Sequence, residues 1–179
     1  KGKKIFEPKD KVTRPLKDLT KESIFNVIIH SNKIKINLIN SKILDLFSGV
    51  GSFGLECLSR GSSFVIFVEN YLNVLNILKK NIELLKFQKK TRIVKKDILN
   101  EQNFEYFKNK FDLIFLDPPY REKKIKELII KIKNNNLLNK NGIIIIHRHK
   151  KEKDQLPNNF KILLEKKYGI SKIIFGKFV

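Results

Sequence analysis

The sequence has no tryptophan, no methionine and a single cysteine, Cys57. One cysteine excludes an internal disulfide framework or a paired-cysteine metal motif, and it is read as a small buried helix residue. A cytoplasmic location is the expectation that follows. No stretch approaches the ~18 consecutive apolar residues of a membrane-spanning helix, so no membrane partner is expected. A signal peptide is not evident either. Because position 1 is Lys rather than Met, a segment ahead of it is expected to be missing. Acids are also scarce: 18 Asp and Glu stand against 38 Lys and Arg, a formal net charge of +20. Repeats and internal linkers are lacking. The 179 residues, 41% of them apolar, are expected to form one domain with a full core.

The excess of lysine over arginine, together with abundant Asn and Ile, fits the drift of an AT-rich genome. The distribution of charge says more than its total. No lysine lies between Lys42 and Lys79, whereas residues 1–42 carry ten Lys and one Arg against four acids. This segregation points to a polyanion partner, with the basic segment and helix of residues 1–30 facing it.

Periodicity predicts a helix over Leu16–His30, a buried strand over Ser41–Phe47, and a glycine-rich turn leading into a helix that ends near Arg60. Gly61 then suits the left-handed helix cap. Further strands are expected at Phe64–Glu69, Thr91–Val94, Phe111–Leu116 and Ile143–His147. Helices are expected at Leu72–Leu85 and Ile125–Ile132. Two β-like runs, Phe160–Lys167 and Ser171–Phe178, meet at Tyr168-Gly169 as a hairpin. The alternation implies an α/β fold: a mainly parallel seven-stranded sheet, helices on both faces and an antiparallel C-terminal hairpin.

Gly49-Val50-Gly51-Ser52-Phe53-Gly54 is a GxGxxG between a strand and a helix, and Glu69 follows 20 residues after Gly49. Glycines there allow a sharp turn and close ligand approach, and an acid after the second strand can accept ribose hydroxyls. Alone, the pattern would read as a dinucleotide site. Asp45, inside the end of the first strand, argues otherwise. A carboxylate there would repel a pyrophosphate but suit a cationic amine, although an acid in this place can also simply cap the helix. S-adenosylmethionine carries an amine and a sulfonium and no phosphate. Asp97, after the third strand, could accept from an adenine amino group.

Asp117-Pro118-Pro119-Tyr120 closes the fourth strand, beside the first, where open α/β sheets bind ligands. The Asp117 carboxylate and the Pro118 carbonyl could hold an exocyclic amine, and Tyr120 could stack on an extruded base. Consecutive prolines stiffen the backbone that carries that carbonyl. Isolated from the upstream acids, the same four residues would be an ordinary strand-ending turn.

These residues resemble the class I S-adenosylmethionine-dependent methyltransferases with a (D/N/S)PP(Y/F/W) motif, a Rossmann-like fold. The resemblance narrows with Thr13-Arg14-Pro15, with Glu22-Ser23-Ile24-Phe25-Asn26, with Asp45 through Glu56 and with Leu58-Ser59-Arg60-Gly61. Over nearly the whole chain it is similar to the RsmD-type 16S rRNA (guanine-N2)-methyltransferases. That resemblance implies a cofactor set of Asp45, Phe47, Gly49, Gly51, Glu69, Asn70, Asp97 and Ile98, with Asn26 and Phe25 nearby. It implies Asp117, Pro118, Pro119 and Tyr120 as the catalytic tetrapeptide and Arg14 as an RNA contact. The implied partner is 16S rRNA, naked or in an assembling particle, acted on by a monomer without a metal. Two departures stand out: little precedes Lys1-Gly2-Lys3-Lys4 where the family has an opening strand, and the fifth strand is followed by His147-Arg148-His149-Lys150 where an acid is expected. That stretch is read as a solvated basic loop rather than a metal site. Four alternatives compete. A DNA adenine-N6 methyltransferase would need a target-recognition domain that is not evident. A glutamine-directed protein methyltransferase usually has Asn in place of Asp117. An NAD-dependent oxidoreductase is disfavoured by Asp45, and a non-enzymatic RNA-binding module leaves the cofactor acids without a role.

Overall fold

The computed structural model describes residues 4–8 and 16–179; Arg14 lies outside the described residues. Seven strands form one sheet: β1 (Lys42–Leu46), β2 (Phe64–Glu69), β3 (Thr91–Lys95), β4 (Phe111–Leu116), β5 (Leu138–His149), β6 (Phe160–Tyr168) and β7 (Ser171–Phe178). Their spatial order is β3-β2-β1-β4-β5-β7-β6. The first five run parallel, and β7 pairs antiparallel with both β5 and β6. The expected sheet and its terminal hairpin are therefore present. Strand order reverses between β1 and β4, so the crevice at their carboxyl ends is the topological switch point.

The strands near the centre are apolar on both sides because helices cover both sides. Ile43, Val65, Phe67, Leu113, Phe115 and Ile145 pack toward α1 (Asp18–His30), α2 (Ser52–Ser59) and α3 (Leu72–Leu84). Leu44, Leu46, Ile66, Val68, Ile114 and Ile146 face the other way, toward α4 (Ile125–Asn134) and a phenylalanine cluster at Phe104 and Phe107. In α4 the buried residues are Ile125, Leu128, Ile129 and Ile132, the single stripe that a surface helix needs. Among the described residues, no helix is long and apolar enough to cross a membrane.

Two expectations change. The helix predicted from Leu16 begins at Asp18, and Leu19 lies on its exposed side. The fifth strand is longer at both ends than its isoleucine run. It starts at Leu138, through an irregular pairing in which Phe111 faces Leu138 and Leu113 faces Ile143. It continues through His147, Arg148 and His149, which pair with Ile173, Lys172 and Ser171 of β7. The stretch read as a solvated loop is thus largely buried strand, with Arg148 fully buried and His147 2% exposed.

Candidate active site

A cleft of about 430 Å³ opens at the carboxyl ends of β1, β2 and β4. Asp45, Phe47, Gly49, Glu69, Asn70, Asp117, Pro118, Pro119 and Tyr120 all line it, residues spread over 76 positions of sequence. Its apolar wall is a stack: Phe53 lies 3.9 Å from Phe115 and 5.2 Å from Phe25, both pairs at 19°. Phe25 sits behind Phe53 rather than on the cleft, with the Arg60 guanidinium 4.4 Å above its ring. Asn26, on the same helix, is exposed and does not line the cleft. Asp97 and Ile98 line a separate recess of about 20 Å³, which shares Phe47, Glu69 and Asn70 with the cleft.

The turn after β1 is shaped by its own packing. Gly51 is left-handed (φ 85°), and a Cβ there would stand 2.5 Å from Leu78. Gly51 is buried and is not among the residues that line the cleft; its left-handed backbone and its packing against Leu78 both call for glycine. Gly54 likewise lets α2 press on β2, since a Cβ would meet Phe67 at 2.4 Å. Gly49 does line the cleft, and its N–H donates to Glu69 Oε2 at 2.8 Å. The other Glu69 oxygen accepts from the Asn70 and Tyr71 N–H groups. Those three bonds fix Glu69 at the rim and leave about one of a carboxylate's four lone-pair sites for a ligand. Phe47 holds a positive φ of 61°, a strained conformation for a non-glycine residue, where β1 turns into the cleft. Buried Asn81 secures the turn from behind, donating to the carbonyls of Val50 and Phe6 and accepting the Phe6 N–H.

Asp45 is 1% exposed and accepts the Gly54 N–H at 3.0 Å, so it does cap the first turn of α2. Burial pushes its carboxyl well above the ordinary 3.8; the charges of Asp117 and Glu69 push the same way, against the Gly54 bond. Three acids therefore converge on the cleft, and no Lys, Arg or His is among its described lining residues. In a chain of net charge +20 that is a local reversal of sign. The α2 N-terminus, where a dinucleotide's pyrophosphate would sit, already holds a protein carboxylate. This donor set fits a ligand with positive charge and hydroxyls and does not fit a pyrophosphate.

The loop after β4 is held from β5 and β7. His147 Nδ1 lies 2.8 Å from Asp117 Oδ1, and its Nε2 lies 2.9 Å from Ser171 Oγ. Arg148 grips Asp154 through Nε and one terminal nitrogen, at 2.9–3.1 Å. The same guanidinium donates to the carbonyls of Pro119 at 2.9 Å and Glu122 at 2.7 Å. Tyr120 meets the His149 and His147 rings edge-on, at 5.0 and 5.9 Å. Sequence reasoning missed His147, Arg148 and Ser171 as parts of the site. A usable signal was the break in polarity directly after Ile143–Ile146, on a strand that had to end beside Asp117. Among the described residues, no group of three or more His, Cys, Asp or Glu is arranged to hold a metal ion.

Residues 1–177 match the family model described as conserved hypothetical protein 95. The chain is 32% identical over 178 residues to ribosomal RNA small subunit methyltransferase D of Haemophilus influenzae, covering 95% of this chain and 86% of that protein. It is also 32% identical to the protein of the same name from Buchnera aphidicola, covering 93% and 83%. Among solved structures, a candidate methylase from Haemophilus influenzae superposes with a TM-score of 0.72 at 31% identity, covering 89% of this chain and 96% of the other.

Proposed function

The chain belongs to the conserved hypothetical protein 95 family, and from that premise we propose that it transfers a methyl group from S-adenosylmethionine to the N2 amine of a guanine in small-subunit rRNA. The observation that carries the reading is the acidic cleft, without Lys, Arg or His among its described lining residues, whose mouth bears Asp117-Pro118-Pro119-Tyr120. When bound, the donor supplies a methyl group on a sulfonium, whose C–S electron pair stays with sulfur as the new C–N bond forms. The protein's contribution is placement. Asp45, giving up its proton as the cationic amine arrives beside it, would pair with that amine, and Glu69 would take up the donor's ribose hydroxyls. Asp97 and Ile98 would border the adenine, and Phe47 and Asn70 would flank the ribose.

On the substrate side, the guanine amine is a weak nucleophile because its lone pair is conjugated with the ring. The Asp117 carboxylate and the Pro118 carbonyl would accept its two N–H bonds, turning the lone pair toward the methyl group and favouring the charge that develops on nitrogen. One of those protons leaves to solvent after transfer. Tyr120 would stack on the extruded base. RNA would reach the site over the exposed Arg121, Lys123, Lys124, Lys150, Lys151 and Lys153, which flank the tetrapeptide on two loops, with Arg14 as a further contact.

The test is methyl transfer to rRNA from a deletion strain, with methylated guanines mapped by mass. Asp117→Ala should lower kcat by at least about 100-fold, the cost of losing a positioned acceptor, while calorimetric affinity for S-adenosylmethionine stays within about threefold, since Asp45 and Glu69 remain. Full activity of Asp117→Ala would refute its role. Binding of NAD in place of the methyl donor would refute the cofactor.

A further inference from the structure

His147 is 2% exposed and Ser171 4% exposed, on adjacent antiparallel strands. An imidazole removed from water is tolerated when both ring nitrogens are bonded. Here Nε2 meets the Ser171 hydroxyl at 2.9 Å and Nδ1 meets Asp117 Oδ1 at 2.8 Å. A hydroxyl can donate or accept, whereas an ionised carboxylate only accepts. The consistent assignment is Ser171 O–H to Nε2 and Nδ1–H to Asp117. The three groups have the connectivity of a nucleophilic triad, but Ser171 is buried and does not line the cleft, so it can receive no substrate. The chain of bonds acts in the other direction, from Ser171 outward to Asp117.

We propose that His147 is a positioning residue for methyl transfer: by donating from Nδ1 it fixes the rotation of the Asp117 carboxylate, and with it the direction in which the target amine is held. This rests on the function proposed above. The ring also stands edge-on to Tyr120, so one buried side chain braces both the acceptor and the stacking platform. The fixed angle matters because a misplaced acceptor changes the barrier while leaving the methyl donor's site intact.

Two substitutions separate this role from simple packing. In His147→Asn the amide nitrogen takes the place of Nδ1, keeping the donor to Asp117 and losing Ser171. In His147→Gln the amide nitrogen takes the place of Nε2, keeping Ser171 and losing Asp117. Measured on an rRNA fragment, His147→Gln should lower kcat by about 10- to 100-fold. The KM for RNA and the calorimetric affinity for S-adenosylmethionine should hardly change. His147→Asn should retain kcat within about threefold, because the bond to Asp117 survives. Equal losses in both variants, in step with their melting temperatures, would overturn the proposal, as would full kcat in His147→Gln. If the unsubstituted protein proves silent on rRNA, the substrate reading fails, and nitrogen NMR of His147 decides the inference on its own. An Nδ1-protonated ring whose Nδ1 signal moves in Asp117→Ala supports it, and an unprotonated Nδ1, or a signal that stays put in that variant, overturns it.

Discussion

Asp45 carries the sharpest conflict in the molecule. It is an acid with almost no contact with water, one backbone donor, and two further acids across the cleft. Its carboxyl is raised well above 3.8, mainly by burial. The folded chain therefore keeps a proton there that the unfolded chain releases. Its stabilising contribution is full below pH ~4 and is lost as pH rises from there through the raised folded value, by about 1.4 kcal/mol per pH unit. Asp45→Asn keeps an oxygen for the Gly54 N–H and cannot ionise. The variant should gain melting temperature relative to the parent as pH is raised from 4 toward 8, while losing affinity for the methyl donor. A difference in melting temperature that stays flat over that range would show the carboxyl to be unshifted. Both sequence readings of this residue, helix cap and cleft acid, describe the same side chain: one oxygen is tied to α2 while the residue lines the cleft.

At the level of elements, the loop after β4 has its shape imposed by β5. Arg148 is fully buried, and its guanidinium is spent on Asp154 and on the Pro119 and Glu122 carbonyls. Arg148→Met would leave Asp154 without its cation, remove the guanidinium donor from the Glu122 carbonyl and leave the Pro119 carbonyl with the Glu122 N–H alone, and breaking a buried pair costs about 3–5 kcal/mol. Arg148→Lys cannot reproduce the planar fork and should recover only part of it. Chemical denaturation should show the loss in both, with a larger fall in kcat than in affinity for the methyl donor, because Asp45 and Glu69 lie on β1 and β2. Retained kcat in a folded Arg148→Met protein would show that the loop keeps its shape unaided. The same strand marks where sequence reading stopped. Phe64–Glu69 and Phe111–Leu116 were legible to the residue because apolar runs with sharp ends define buried parallel strands. His147-Arg148-His149 was not, because charged residues in series are normally solvated. Their burial depends on Asp117, Asp154 and Ser171, partners 6 to 30 positions away that no local pattern displays. The packing of Gly51 was hidden for a similar reason, since the side chain a Cβ there would meet, Leu78, lies 27 positions away.

Across the whole molecule, charge is sorted by depth as well as by sequence. On the two loops beside Tyr120, the acids are already engaged: Glu122 accepts from the Lys123 and Lys124 N–H groups, Glu152 pairs with Lys123, and Asp154 with buried Arg148. Arg121, Lys150, Lys151 and Lys153 are exposed, so the rim is positive while the cleft beneath it is negative. That arrangement attracts a phosphate backbone to the rim and a cationic methyl donor to the floor, without either competing for the other's place. The alternative is that +20 acts only as a diffuse charge. Changing Arg121, Lys150, Lys151 and Lys153 to Gln removes four charges from the rim. Changing Lys89, Lys90, Lys108 and Lys110, exposed ahead of β3 and β4 at the opposite edge of the sheet, removes the same number. In RNA binding measured over a salt series, the rim variant should flatten the dependence of log affinity on log salt by about 0.7 for each phosphate that the protein no longer neutralises. The opposite-edge variant should keep the parent's slope. Equal flattening in both would mean that net charge, and not the rim, draws the RNA.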